Sequence, residues 1–264
     1  MQFLLFRLYG TIASWGDLTV GEIRPTSLYP SKSAIIGLLS AALGYARDSH
    51  QKEITELSES IGIAVRMDSP ASIMRDFHTF QKAETGNGKN LTTFYTRRDE
   101  LLHTKIGTGL STRDYVCDGL YTICLWIKND TSISLQQIGL ALRKPEFHLY
   151  LGRKSCPISY PIVPSIIDSD SIYEAFLHED SIATQEEQQF RSNLFNPLFP
   201  KYSTVFEPRY FWEECNFHGF TEVKLIERFT RRDDPRSRTR WQFGERFEYH
   251  TIVPVTKALQ EETQ

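Results

Sequence analysis

The sequence predicts an α+β fold, and three observations support that prediction. Apolar runs rich in β-branched and aromatic residues, at 2–9, 61–66 and 115–127, have the composition of buried strands. Two segments place apolar residues at helical spacing behind a serine: 31–43, and a second one that Ser132 or Ser134 caps and that ends before Pro145. A further strand beginning at Leu149 completes the order strand, helix, strand, strand, helix, strand. This is the ferredoxin-like arrangement, which RRM-like RNA-binding modules share.

The composition is that of a globular protein. The 264 residues are 40% hydrophobic and 24% charged, and no apolar run approaches the ~18 residues of a membrane span. The N-terminus lacks the basic region and cleavage site of a signal peptide, so we expect a cytoplasmic protein without a membrane partner. The four cysteines show no C-x-x-C spacing, which favours buried free thiols over disulfides or a zinc site. We expect no cofactor and no metal.

The first predicted helix has clear boundaries. Pro30 cannot lie inside a helix, Ser31 is a favoured N-cap, and Gly44 suits the left-handed position after the last turn. Lys32 and Ser33 stand beside the free N–H groups of the first turn, a combination that suits an anion such as phosphate. The alternative is that this segment is an ordinary capped helix of the core that binds no anion. A short amphipathic helix at roughly 50–59 leads into the second strand.

Residues 73–115 form an unusual excursion. An extended segment, 73–80, precedes turn-forming residues at 85–90, and a second extended segment returns to the strand at 115. We predict a long β-hairpin, here called the thumb. It interleaves basic and aromatic residues, a pattern that favours nucleic-acid contact, although an ordinary surface insertion is the alternative. These residues are Lys82, Lys89, Arg97, Arg98, Lys105 and Arg113, with Phe80, Phe94 and Tyr95.

The pattern weakens after residue 164, and we predict a smaller, mainly β domain over 165–264. The acidic segment 168–190 is interpreted as a solvated helix or a linker. A turn is predicted at 233–235 and a last strand at 243–253.

Charge is distributed unevenly. The net charge of −3 disfavours a free-standing RNA chaperone, which would need a strong general attraction to polyphosphate. Residues 168–187 hold seven acids and no Lys or Arg, whereas 228–246 hold seven arginines against three acids. This arginine-rich patch could face RNA, target DNA or a partner, or it could be a solvated surface.

Catalytic motifs are absent from the sequence. No P-loop, G-x-S-x-G or dinucleotide fingerprint occurs, and the seven histidines show no metal-ligand spacing. His78, with Tyr95 or Tyr115, could supply the base and acid of a metal-independent ribonuclease. The alternative is a strand residue that packs or hydrogen-bonds to RNA.

Seven short motifs occur in an order that resembles one protein family. They are Arg24–Ser27, Tyr29–Ser33, Gly37–Gly44, Met74–Thr79, Tyr115–Gly119, Tyr150–Pro157 and Phe229–Pro235. Together they resemble the CasD-type subunits of the type I-E CRISPR interference complex, Cascade. This is the fifth-numbered Cas family of the RAMP superfamily, and the resemblance covers residue 7 to about 246.

The resemblance implies a non-catalytic subunit with a RAMP-type ferredoxin-like domain over 1–164, its thumb at about 73–115, and a small C-terminal domain. Such a subunit holds the 5′ handle of the CRISPR RNA, docks on the CasC backbone subunit and contacts the large CasA subunit, with target DNA near the complex. Its counterpart in type I-C systems cleaves precursor RNA, so an endoribonuclease is the alternative function.

A single-stranded RNA handle is held through phosphate contacts from helix N-termini and basic residues, and through stacking on splayed bases. The residues expected to bind RNA are Arg24, Ser27, Tyr29, Ser31, Lys32, Ser33, Arg75, His78, Arg97, Arg98, Arg113, Tyr115, Arg153 and Lys154.

Overall fold

The structure is a computed structural model that describes residues 1–16, 19, 21–83, 93–103, 105–129, 131–182, 189, 207–215, 217, 220, 226–237, 240 and 242–253. The strands in this part of the chain are β1 (Gln2–Ala13), β2 (Trp15–Gly16), β3 (Ile23–Arg24), β4 (Thr26–Ser27), β5 (Ile61–Met67), β6 (Ser72–Ala83), β7 (Ile106–Ile127), β8 (Ser165–Asp168), β9 (Arg209–Glu213), β10 (Glu227–Ser237) and β11 (Gln242–Ile252). The helices are α1 (Lys32–Ala42), α2 (Gln51–Ser60), α3 (Arg97–Leu101), α4 (Leu135–Arg143) and α5 (Ile172–Ile182).

One large sheet organises the molecule. Its main row runs β10–β11–β9–β5–β7–β1–β8, and β3 and β6 also pair with β7. In the centre, β1 is antiparallel to β7 and β8, and β7 is antiparallel to β5. These four strands and their connecting helices occur along the chain as strand, helices, strand, strand, helix, strand. The predicted mixture of helices and strands is therefore confirmed.

The N-terminal helix has the predicted caps. The Ser31 hydroxyl accepts a hydrogen bond from the Ala34 N–H at 3.2 Å, and Gly44 has φ +79°. The helix α2 and the strand β5 also follow as predicted. The first strand, however, continues to Ala13 rather than residue 9, and the predicted loop at 10–30 contains β2, β3 and β4.

The thumb is a β-hairpin, as predicted. Its arms pair from Ser72 opposite Cys117 to Ala83 opposite Ile106, and α3 lies between them in the chain. The return arm and the central strand, which were predicted separately, are one 22-residue strand, β7. The turn-rich tip at 85–90 lies outside the described residues.

The fourth strand was predicted in the wrong place. Near Leu149, Tyr150 makes only an isolated bridge to Pro157, and β8 is the strand that pairs with β1. The cause lies at Gly152, which has φ +87° and turns the chain into a tight loop. The preceding helix, α4, begins at Ser134 in a capping box with Gln137, as one of the two predicted caps allows.

The C-terminal strands extend the same sheet. β9 pairs with β5, β11 with β9, and β10 with β11. Strands from both sides of the division predicted at residue 164 share this sheet, since β8 directly after it pairs with β1. Residues 233–235, predicted as a turn, lie inside β10 at a break in its register with β11, so that prediction is wrong. The last strand is confirmed.

The acidic helix is not merely solvated. In α5, Phe176 is fully buried, and the buried Glu179 lies 3.6 Å from Arg7. Asp180 pairs with the buried Arg66 at 2.7 Å. These ion pairs fasten α5 to the sheet, because a buried guanidinium needs a carboxylate partner. Residues 183–188 and 190 of the acidic segment lie outside the described residues.

Both faces of the sheet are covered. One core packs sheet residues such as Phe6 and Ile123 against α1, α2 and α4, and a second packs Phe3 and Trp126 against α5. RRM-type modules bind bases on an open sheet face. Here helices of the chain itself cover both faces of the central strands, so no open face of that kind remains there.

The described residues contain no helix that is both long and apolar enough to cross a membrane. In the same residues, all four cysteines are unpaired and no group of three His, Cys, Asp or Glu could hold a metal ion.

Candidate nucleic-acid interface

The expected phosphate position at the start of α1 is filled by the chain's own carboxylates. The Lys32 N–H donates to Asp233 Oδ2 at 2.8 Å. The Lys32 side chain is buried, with Nζ 3.1 Å from Glu213 and 3.4 Å from Asp234. Lys32, which was expected to hold an RNA phosphate, is thus a buried ion-pair partner in this structure.

The neighbouring candidates are also engaged internally. The hydroxyls of Ser31 and Ser33 lie 3.0 Å apart, and Ser31 is buried. Ser27 accepts a hydrogen bond from Arg231 at 3.0 Å. Tyr29 stacks on Phe211 with ring centroids 3.7 Å apart. These contacts bind the β4–α1 segment to the C-terminal strands.

Tyr29 shows how closed this region is. Its hydroxyl donates to Glu248, and the Arg231 guanidinium lies 4.3 Å from its ring centroid. Burial, followed by the negative charge of Glu248, raises the pKa of Tyr29 above its usual range. A tyrosine held in this way has no free face for a base.

At the root of the thumb the basic residues are more accessible. Arg75 is exposed and makes a bidentate pair with Asp114, at 2.8 and 3.0 Å. These hydrogen bonds lower the pKa of Asp114, and the nearby charge of Arg153 acts in the same direction. The Arg153 guanidinium lies 4.8 Å from the ring centroid of the buried Tyr115. Lys154, the next residue, is exposed.

A tight loop presents Arg153 and Lys154 at this root. The Ser14 N–H donates to the Leu151 carbonyl at 3.0 Å, and the Cys156 N–H donates to the Arg153 carbonyl at 2.8 Å. At Gly152 a Cβ would overlap the Ser14 carbonyl. The loop therefore requires glycine for both its backbone conformation and its packing. This fixes the backbone from which Arg153 and Lys154 project.

A basic groove lies along one face of the thumb. Arg24 in β3 is in register with Arg113 in β7, and both line a groove of about 600 Å³. Lys82 and Phe80 from β6 line the same groove. Side chains of paired residues project from the same face of a sheet. The pairing therefore gathers on one surface a set of cations from three separate parts of the sequence.

His78 lies on the same face as Arg113, since Asp76 pairs with Arg113 and His78 with Ser111. Its imidazole is in contact with the Asp76 carboxylate. Tyr115 is four residues from Ser111, about 13 Å along the strand. His78 and Tyr115 are too far apart to flank one phosphodiester, and Tyr95 is almost fully exposed on the segment before α3. The described geometry does not assemble the acid–base pair of the nuclease alternative.

The two arginines of α3 lie towards the far end of the thumb. Arg97 pairs with Glu100 and donates to the Gln81 carbonyl, and Glu100 accepts the Ala83 N–H at 3.2 Å. These contacts attach α3 to the end of β6. Arg98 is exposed there.

The arginine-rich patch of the C-terminal hairpin is partly internal. Arg246 contacts Asp233 at 2.6 Å and also reaches Glu248. Arg231 contacts Glu248 at 3.3 Å. Burial alone would raise the pKa of Asp233, but hydrogen bonds from Arg246 lower it below its ordinary value. Arg232, Arg236 and Arg240 remain exposed.

Sequence reasoning named Phe80 and Lys82 as thumb residues but did not place them in the binding set. Gly107 and Gly109 alternate in the sequence, but only the register of the structure places them opposite Lys82 and Phe80. The capping of α1 by Asp233 had no such signal, because the two residues are 201 positions apart.

Comparison with known proteins agrees with the motifs. The family model described as CRISPR-associated protein (Cas_Cas5) matches residues 3–249. The CRISPR system Cascade subunit CasD of Escherichia coli (strain K12) is 30% identical over 190 residues, which cover 69% of this chain and 78% of that protein.

Two solved structures share the fold. A chain described as a CRISPR RNA-guided surveillance complex has a TM-score of 0.56 at 22% identity, over 95% of this chain and 90% of that chain. A chain described as a Cas protein has a TM-score of 0.52 at 20% identity, over 96% and 95%. Because the family model spans nearly the whole described sequence, the chain belongs to the Cas5 family of CRISPR-associated proteins, as its motifs predicted.

Proposed function

We propose that this chain is the CasD-type subunit of a type I-E Cascade surveillance complex and holds the 5′ handle of the CRISPR RNA. Its family, and its 30% identity to a Cascade subunit, support a place in such a complex. We assign the central four strands and their helices to the ferredoxin-like RAMP class, in view of their order β8–β1–β7–β5.

The observation that carries the proposal is the basic groove of the thumb. Arg24, Lys82 and Arg113 converge on it from three strands, and Glu22 is the one acidic residue in its lining among the described residues. Phosphate contacts position an RNA strand, and a groove with excess positive charge follows its backbone. The net charge of the whole chain does not oppose this, because the groove is local.

The proposed RNA-binding set is narrower than the one expected from sequence. It keeps the residues of the thumb and its root: Arg24, Arg75, His78, Arg97, Arg98, Arg113, Tyr115, Arg153 and Lys154. It leaves out Lys32 and its neighbours Ser27, Tyr29, Ser31 and Ser33, because the C-terminal strands or the helix cap itself engage their side chains. Arg153 on Tyr115 is suited to stack a splayed base on its outer face.

The remaining features of the proposed role rest on the same resemblance to CasD-type subunits. The subunit bridges the CasC backbone to the large CasA subunit in the cytoplasm, in antiviral defence, with target DNA near the complex. It works without catalysis and without a cofactor.

Co-purification tests the proposal. The tagged chain is expressed with the neighbouring CRISPR genes and a repeat array, and bound RNA is sequenced. We expect associated subunits and RNA with a common 5′ end. An Arg24→Ala/Arg113→Ala variant should assemble with less RNA, whereas Arg236→Ala/Arg240→Ala serves as a matched control. Purification of the wild-type chain without RNA or partners would contradict the proposal.

The alternative, processing of precursor RNA, rests on His78 beside Asp76 on the groove face. The contact with Asp76 orients the His78 imidazole, the side chain that would have to transfer a proton in such a reaction. Incubation of the purified chain with repeat RNA in EDTA separates the two functions. Site-specific cleavage that is lost in His78→Ala would establish the nuclease; intact RNA supports the non-catalytic role.

A further inference from the structure

Phe80 is an aromatic residue with an unusual setting in the thumb. It is 45% exposed although it lies in a paired strand. Its partner across the hairpin is Gly109, and its ring leans over that glycine so closely that a Cβ there would overlap the ring. An aromatic ring that covers a cross-strand glycine is held in place on one side, while the other side stays open.

The surroundings of Phe80 are those of a nucleic-acid site. The ring lines the groove that contains Arg24, Lys82 and Arg113. Gly107, opposite Lys82, adds no side chain, and Gly21 adds none on the other wall. An open ring with cations around it matches one nucleotide of a single strand, whose base stacks while its phosphates contact the cations.

Phe77 provides an internal comparison. It is 64% exposed, three residues before Phe80 in the same strand. Because side chains alternate along a strand, Phe77 projects from the opposite face, where its partner is Thr112. It does not line the groove described above. Both phenylalanines are exposed, but of the two only Phe80 lines the cationic groove.

We propose that Phe80, supported by Gly109, is a stacking platform for one base of a single-stranded RNA that follows the groove, with a neighbouring phosphate at Lys82 and phosphates further along the strand at Arg24 and Arg113. This deepens the proposed function and rests on it. A base inside a duplex keeps both of its faces stacked, so the platform selects single strands. Stacking tolerates any base, because every base has a π face, so the platform sets the position of the strand rather than its sequence.

The test uses the full chain and a short single-stranded RNA with one 2-aminopurine, whose fluorescence falls when the base stacks. The 2-aminopurine is moved along the RNA to find the position that is quenched. We expect Phe80→Ala to weaken binding about 10- to 100-fold, the range of one lost stacking interaction, and to abolish the quenching. Phe80→Trp should retain both, and Phe77→Ala should match the wild type.

Gly109→Ala is the second arm, because its added methyl group occupies the place of the ring without removing the ring. It should reduce quenching at the same nucleotide, while the circular dichroism spectrum stays that of the wild type. Single-stranded DNA of the same sequence should show the same loss in Phe80→Ala, and a duplex should show none.

The outcomes separate this inference from the proposed function. If the wild type binds the RNA and Phe80→Ala behaves like Phe77→Ala, the platform is overturned and handle binding stands. If the wild-type chain and its purified complex both fail to hold RNA, both proposals fail.

Discussion

The thumb and the C-terminal hairpin β10–β11 look alike in sequence and differ in what their arginines do. Each is a β-hairpin with interleaved basic and aromatic residues. In the thumb, Arg24 and Arg113 line an open groove. In the C-terminal hairpin, Arg231 and Arg246 are largely enclosed by Asp233 and Glu248. Carboxylates brought in by folding, rather than the arginine count, decide which of these arginines are enclosed.

This difference gives the two hairpins different tasks. Asp233 accepts the first N–H of α1 while it pairs with Arg246, so the C-terminal hairpin caps a helix at the other end of the chain. We call Lys32, Glu213, Asp233, Arg246 and Glu248 the capping network. The thumb projects basic side chains instead of pairing them all. Arg246 of the C-terminal hairpin is therefore engaged in holding the fold, whereas Arg24 and Arg113 line an open groove.

The largest effect should come from breaking the capping network. Arg246→Met leaves the buried Asp233 and Glu248 without their principal partner, and removing one member of a buried ion pair costs about 3–5 kcal/mol. Urea unfolding measures the loss. Arg240→Met, an exposed arginine of the same hairpin, should stay within about 0.5 kcal/mol of the wild type. Equal stability of the two variants would mean that the network does not hold the fold.

Lys32→Met separates a structural lysine from an RNA-binding one. We expect a loss of about 1–3 kcal/mol in the free energy of unfolding, the cost of leaving a buried polar group unsatisfied. The loss should not exceed this range, because Lys128 still lies 3.1 Å from Glu213 and keeps it paired. RNA affinity, measured below the melting temperature, should be unchanged. Weaker RNA binding at full stability would restore the phosphate site at the start of α1.

Gly152→Ala tests the root of the thumb. The substitution places a side chain at φ +87° and against the Ser14 carbonyl. The backbone strain should lower the free energy of unfolding by about 1–3 kcal/mol, and the clash adds to this loss. The substitution should also displace Arg153 and weaken RNA binding. Gly16→Ala is the matched control, since a Cβ there meets nothing within 4 Å. Similar melting temperatures for the two variants would argue against a fixed loop.

Acid should weaken the capping network. The folded-state pKa of Asp233 is lowered, so its contribution is full above the unfolded value of about 3.9 and is lost as the pH falls through the lower folded value. The stability difference between wild type and Asp233→Asn should therefore shrink below about pH 4. Urea titrations at several pH values measure this; a difference that grows in acid would contradict the lowered pKa.

Local signals in the sequence predicted local structure well. Ser31, Ser134 and Gly44 act within one helical turn, so their capping roles could be identified without knowledge of the fold. The hairpin form of the thumb followed from its two extended segments. The same reasoning wrongly placed the fourth strand at Leu149. The segment at Leu149 and Ser165–Asp168 are both short, and only the pairing with β1 identifies the second as the strand.

Long-range partners account for most of the errors. The predicted turn at 233–235 has turn composition, but Asp233 is held in β10 by Arg246 and by the Lys32 N–H. Lys32 was interpreted as a phosphate ligand because the local sequence does not show the carboxylates that contact it, which lie about 180–200 residues further along the chain. The platform at Phe80 was hidden for a similar reason, since its glycine support becomes evident only in the paired register.

The salt dependence of RNA binding tests the central contrast most directly. Each phosphate contact contributes about −0.7 to the slope of log affinity against log salt for a single strand. We expect Arg24→Ala/Arg113→Ala to make the slope about 1.4 units shallower than that of the wild type. Arg236→Ala/Arg240→Ala, on the C-terminal hairpin, should leave it unchanged. The reverse result, with the slope altered by the C-terminal pair alone, would contradict the assignment of RNA binding to the thumb.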